Sequence, residues 1–260
     1  MVFHVLTIFE EFFEGPFDCG VISRAKKAGR IEIRFHDLRD HTFDIHRTVD
    51  DRPFGGDEGM VLKVEPICLA LDKIREGWAG SGKGASGESV SKKTRSIVLS
   101  AQGRRFDQSV AARLAACDEV VLICGRYEGI DERVVEHLAD EEISIGDFVL
   151  SGGEWACGMV IDCVARLLPG VLGNEASAQR ESFAPGQGSS VGILDFPYYT
   201  RPASFREWEV PEVLLSGNHE HIRRWRRKAA LTKTRNNRPD LLKTADLSEE
   251  DHEILAEIEH

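Results

Sequence analysis

The stretch "SIVLSAQGRRFDQSVAARLAACDEVVLICGRYEG", residues 96–129, alternates two kinds of pattern. Ile97, Val98 and Leu99 form a short apolar run that ends in the glycine-bearing "SAQGR", and Val120 to Cys124 form a second that ends in "GRYEG". Between them Val110, Leu114 and Cys117 recur at helical spacing. Short apolar runs bounded by glycine read as buried strands, and a three-to-four-residue spacing reads as helix. Strand, helix, strand predicts an α/β fold built on a largely parallel sheet. "FHVLTIF" near the start and "IEIRF" at 31–35 supply further strands. After "EEISIGDFVLSGGE" the run "WACGMVIDCVARLLPG" predicts a helix stopped by Pro169-Gly170, with Trp155, Met159, Cys163 and Leu167 on one stripe.

Composition narrows the class. At 260 residues there is room for one large domain or two smaller ones, and 42% hydrophobic with 30% charged residues is ordinary globular usage. No stretch approaches the roughly 18 unbroken apolar residues of a membrane span, and "MVFHVLTIFEEFF" carries acids too early for a signal peptide. The expectation is a cytoplasmic protein with no membrane association. Six cysteines without a C-x-x-C pair read as reduced packing residues, and nine histidines show no H-E-x-x-H spacing, so no protein-built metal site is expected.

A formal net charge of -11 argues against a uniformly basic nucleic-acid coat. The charge is unevenly placed, however. "HEHIRRWRRKAALTKTRNNRPDLLK" (219–243) is dense in cations, whereas "DLSEEDHEILAEIEH" holds acids and no Lys or Arg. In the basic segment Ile222, Trp225 and Ala229 predict a buried stripe, with Arg223 and Arg227, and Arg224 and Lys228, as outward i, i+4 rows suited to phosphate. Between the apolar helix and this segment, residues 173–203 read as a long linker, dividing the chain into a domain over 1–172 and a small helical domain over 204–260.

"GKGASG" at 82–87 matches a dinucleotide-binding pattern but neither follows a strand nor opens a helix, so a surface insertion is expected there. Three glycine-rich strand exits remain: "LSAQGR", "CGRYEG" and "SIGDFVLSGGE". Open parallel sheets bind ligands at their C-terminal edge, and glycine lets backbone groups approach a ligand closely. "RTVDDRPFGGDEGM" at 47–60 reads either as a charged surface loop or as a loop able to hold a flipped base.

Taken together, "RTVDDRPFGG", "CGRYEGIDERV", "SIGDFVLSGGE", "IDCVARLLPGVLG", "EASA", "YTRP", "EVPEVLLSGNH" and "IRRWR" resemble the bacterial tRNA (guanine-37-N1)-methyltransferase family of the SPOUT superfamily, from about residue 3 to 255. The resemblance implies a deep trefoil knot at the end of the α/β domain and a homodimer whose sites form between subunits. It implies S-adenosylmethionine held by Leu99, Ser100, Ala101, Gln102 and Gly103, by Gly125, Tyr127 and Glu128, and by Ser144, Ile145, Gly146, Asp147, Phe148, Val149 and Leu150, with Gly152 and Gly153 close by. Phe148 stands where tyrosine is common in the family.

Methyl transfer to guanine N1 requires removal of the N1 proton and stabilisation of charge developing toward O6, which a carboxylate and a cation provide. The family's cation maps to Arg166 and its base to Glu181, where the family motif has Asp; Glu128 is a further carboxylate, able to position the base or a magnesium ion. Asp50, Arg52, Arg223, Arg224 and Arg227 are the implied tRNA contacts. Two other readings are a SPOUT tRNA ribose 2′-O-methyltransferase and a non-catalytic RNA-binding protein.

Overall fold

The computed structural model describes residues 1–56, 58–80, 93–173, 181–183 and 192–259, without the side chains of 78–80 and 259. The "GKGASG" decoy lies outside them. The chain divides into two compact units, Met1–Gly173 and Asn174–His260.

The first unit is built on five strands, β1 Val2–Thr7, β2 Glu32–Asp37, β5 Thr94–Arg105, β6 Glu119–Cys124 and β7 Glu141–Ser144, in the order β2-β1-β6-β5-β7. Every pairing is parallel. A two-residue ladder, β3 Asp50–Asp51 with β4 Val61–Leu62, stands apart as a hairpin. Helices α1 Gly20–Lys27, α3 Gln108–Ala115 and α5 Glu154–Ala165 cover one face of the sheet, where Phe3, Val5, Ile97, Val120 and Leu122 meet Ile22, Val110 and Val160. On the other face Leu6, Val98, Val121 and Ile123 meet Ile67 and Leu71 of α2 Val64–Gly80 and Val134 of α4 Glu132–His137. Strands buried on both faces read as continuous apolar runs, which is why the sequence shows them so plainly.

β5 departs from a simple strand. Leu99 pairs with Ile143 of β7, residues 100–103 swing away, and Arg104 then pairs with the same Ile143. The return is tight: a Cβ on Gly103 would lie 2.4 Å from the Ile143 nitrogen, so only glycine fits.

Helix α5 shows which of its sides faces the sheet. Its buried residues are Ala156, Cys157, Val160, Ile161, Val164 and Ala165, while Trp155 and Met159 are 57% and 52% exposed. The helix is apolar on nearly every side, so periodicity alone could not decide which stripe faces the sheet.

The second unit contains a hairpin, β8 Ser204–Phe205 with β9 Trp208–Glu209, and helices α6 Glu212–Leu215, α7 His219–Asn237, α8 Pro239–Leu242 and α9 Glu249–Glu259. Its core joins Ala230, Leu231 and Ile254 with Ile193 and the half-buried Phe196. On α7 the deepest positions are Ala230, Leu231 and Thr234; Ile222, Trp225 and Ala229 are half-buried, because α9 packs on the neighbouring face. No helix among the described residues is long and apolar enough to cross a membrane.

Candidate functional site

The C-terminal ends of β5, β6 and β7 open into a cleft of about 250 Å³. Its walls are the three glycine-bearing loops: Leu99–Gln102, Gly125–Ile130 and Ile145–Gly153, the last without Asp147. Two residues expected here face elsewhere. Gly103 is pressed against the β7 backbone, and Asp147 is exposed to solvent.

Each loop has a local reason for its path. Gly153 caps α5 and donates its N–H to the Gly125 carbonyl at 2.8 Å; a Cβ there would meet the Cys124 Cα at 2.8 Å. Ser144 Oγ donates to the Gly146 carbonyl and accepts the Gly146 N–H, curling the third loop at its base. Gly146 has φ +152, and a Cβ would strike the Phe148 ring at 2.5 Å. Tyr127 holds φ +60, a conformation uncommon outside glycine and concentrated at functional sites.

The β3–β4 hairpin fastens to the middle loop. Glu128 N–H donates to the Met60 carbonyl, Leu62 N–H to Gly129 and Asp131 N–H to Leu62, each at 3.0 Å. Gly59 lies so near Glu128 that a Cβ would come within 2.5 Å of its Cγ. Asp50 and Arg52, expected to grip RNA, thus belong to a hairpin anchored beside the cleft, with Asp50 half-buried and Arg52 exposed. Asp131 caps α4 and takes the Arg133 guanidinium at 2.6 Å, which holds its carboxyl below the usual range.

Arg126 has no role legible in the sequence, and the structure supplies one. Its Nε lies 2.9 Å from Glu154 Oε2, its Nη1 donates to the Ser151 carbonyl at 3.2 Å, and its guanidinium stacks 4.5 Å from the centroid of Phe9. Glu154 is fully buried and accepts a hydrogen bond from Thr7 Oγ1 at 2.8 Å. The Arg126–Glu154 contact is ionic without hydrogen-bond alignment, since both atoms lack a hydrogen-bond partner. Arg126 also fills the space over Gly152, where any Cβ would meet Nε at 2.2 Å. One guanidinium therefore ties the middle loop to the third loop and to α5. Neither member was singled out beforehand, because they lie 28 positions apart and meet only in three dimensions.

Charge in the cleft is one-sided. Glu128, Glu132 and Glu142 line it, while the lining Arg126 is engaged by Glu154. Glu128 and Glu132 are exposed and Glu142 half-buried, and carboxylates of one sign lining a cleft favour a cationic ligand. Among the described residues no group of three or more His, Cys, Asp or Glu side chains is gathered for a metal ion.

Arg166 is not among the residues that line this cleft. Arg166 caps the far end of α5, about 20 Å from Gly153 at a rise of about 1.5 Å per residue. Glu181 lies exposed in the second unit, where it helps raise the Tyr198 hydroxyl. Arg223, Arg224 and Arg227, expected to face phosphate, each meet acids of α9. Arg223 pairs with Glu220 and Glu250, Arg224 with Glu257, and Arg227 with the buried Asp251. The acidic tail that the sequence set against the basic helix is its packing partner.

A parallel sheet with a glycine-walled, acid-lined cleft at its C-terminal edge defines an α/β protein with a candidate ligand site at that edge. The family model described as tRNA (Guanine-1)-methyltransferase TrmD matches residues 1–244. A tRNA (guanine-N(1)-)-methyltransferase of Koribacter versatilis (strain Ellin345) is 54% identical over 268 residues, covering 99% of this chain and 98% of the relative. Those of Geobacter sulfurreducens (strain ATCC 51573 / DSM 12127 / PCA) and Moorella thermoacetica (strain ATCC 39073 / JCM 9320) are 46% and 49% identical, over 100% and 98% of this chain and 98% and 95% of the relatives. The chain belongs to the tRNA (guanine-1)-methyltransferase TrmD family.

Proposed function

We propose that the protein methylates N1 of guanosine 37 in tRNA, beside the anticodon, with S-adenosylmethionine as methyl donor. The observation that carries this reading is the cleft at the edge of β5, β6 and β7, in a chain whose near-full-length relatives are named as tRNA guanine-N1 methyltransferases. The cleft fits the donor: Gly125 and Gly129 put backbone without a side chain along its wall for an adenosine, and Glu128, Glu132 and Glu142 suit a sulfonium and an ammonium group. When bound, the donor supplies an electrophilic methyl group. The tRNA substrate places the protein in the cytoplasm.

Arg166 and Glu181 serve the guanine. Glu181 takes the N1 proton and Arg166 steadies the charge that develops toward O6. The length of α5 between Gly153 and Arg166 supports a site completed by a second copy, with the cleft of one subunit facing Arg166 and Glu181 of the other. The exposed Trp155 and Met159 on α5 give that copy an apolar face to cover. The return of β5 onto Ile143 on both sides of residues 100–103 supports a chain knotted at this cleft. The domain limits follow as a donor-binding domain to residue 172, a lid over 173–203 and a tRNA-binding domain from 204.

The test incubates purified protein with labelled S-adenosylmethionine and tRNA transcripts bearing G or A just after the anticodon, followed by nucleoside analysis. A ribose-methylated product, or equal product on both transcripts, would refute the reading. Glu181→Gln is expected to keep donor binding and lose turnover; near-normal turnover would move the base to another group such as Glu128.

A further inference from the structure

The second unit carries a surface that the sheet-edge cleft does not explain. A groove of about 520 Å³ runs between residues 196–203, α6 and α7. Tyr198 and Tyr199 line it at 71% and 50% exposure, and Trp225 forms its back wall 6.2 Å from the Tyr199 ring centroid. Ala203 and Val210, which flank the β8–β9 hairpin, stand at its rim and are joined by the Val210 N–H to Ala203 carbonyl bond at 2.9 Å. The hairpin projects two further exposed rings, Phe205 and Trp208, with Arg206 in the turn 5.4 and 5.6 Å from their centroids.

The cations here differ from those on the α9 side of the helix. Arg223, Arg224 and Arg227 are bound to carboxylates. Arg226 instead lies 4.9 Å from the centroid of Phe196, and neither it nor Arg201 nor Arg206 has a carboxylate partner among the described residues. A hydrogen bond to Asp195 and the nearby Glu181 help push the Tyr198 hydroxyl up to about 12, after burial, so it stays a neutral donor. Exposed rings interleaved with unpaired guanidinium groups, in a protein of net charge -11, are complementary to an anion that carries flat aromatic faces.

We propose that this groove and its hairpin form a stacking platform for unpaired nucleotides of RNA. Bases lie against Tyr199 and Trp208, while Arg201, Arg206 and Arg226 meet the phosphates between them. The proposal rests on the tRNA reading above and adds to it a second recognition surface, remote in sequence from every loop of the donor cleft.

The test measures binding of full-length protein to an unmodified tRNA transcript by fluorescence anisotropy across a salt series. Trp208→Ala and Tyr199→Ala are each expected to weaken binding about 5-fold or more, with the salt slope and S-adenosylmethionine affinity at wild-type values. The Phe variants at both positions retain most of the affinity. Arg226→Ala lowers the salt slope by about one. Unchanged tRNA affinity in both Ala variants, beside a wild-type protein that binds, would overturn the platform alone. Altered self-association in sedimentation with unchanged RNA binding would overturn it in favour of an interface between copies. A wild-type protein that binds no tRNA would overturn the functional reading together with the platform.

Discussion

Replacing Arg126 by Met tests whether one ion pair holds the donor cleft in shape. The substitution keeps a flexible apolar stem over Phe9 and removes the cation beside Glu154. Glu154 has no solvent exposure, and its remaining contact is the Thr7 hydroxyl at 2.8 Å. Stripping one partner from a buried pair costs about 3–5 kcal/mol, because the other charge is left desolvated. The Arg126 side chain is 19% exposed, so water reaches part of the space it vacates and the lower end, about 3 kcal/mol, is expected. In a unit of this size that corresponds to a fall in Tm of about 6–12 °C. Glu154→Gln in the same background removes the stranded charge while still accepting from Thr7, and is expected to recover about 2 kcal/mol. Urea unfolding of the four proteins of this cycle gives the coupling directly. A cost below about 1 kcal/mol for Arg126→Met, or no recovery in the double variant, would show that the pair does not carry the load assigned to it.

Two further outcomes follow from other parts of the first unit. Gly103→Ala places a methyl group against the Ile143 nitrogen and Glu142 carbonyl, backbone that cannot move aside, so donor affinity measured by calorimetry is expected to fall at least 10-fold, with wild-type affinity counting against the close crossing. Burial, then the neighbouring His4, His41 and Lys73, push the His36 imidazole down to about 4. A depressed folded value means stability is full above the unfolded value near 6.5 and is lost as pH falls toward 4, by about 3 kcal/mol in total. Urea midpoints should therefore drop with pH across that window, and His36→Leu should flatten the drop; an unchanged slope in that variant would remove His36 as its source.

What the sequence made legible was whatever depends on neighbours in the chain. β1 and β6 and the middle of β5 are apolar runs because they are buried on both faces, and the three glycine exits are visible because close backbone approach tolerates no side chain. Contacts across the fold were not legible in the same way. Arg126 and Glu154 look like unrelated surface charges until β6 and α5 are placed side by side. The outward rows of α7 looked free because their acids come 24 to 33 residues later on α9. The stripe through Trp155 and Met159 could not be assigned to core or surface, because an apolar residue on a helix carries no label for which neighbour covers it. Only strings matched as wholes to a family pointed to Arg166 and Glu181.

The strand order carries a consequence for how the protein is made. β1 finds its partner β6 more than 110 residues downstream, and β5 waits beyond that for β7 and for the return of residues 100–105. Pairings this distant are slow to form, because loop closure must precede any reward. The three loops of the cleft are also the last pieces of the sheet to be set, since none has its walls until β7 and α5 are in place. A nascent or partly unfolded chain therefore has no sheet-edge cleft at all, and ligand binding there would report that the whole first unit has finished folding.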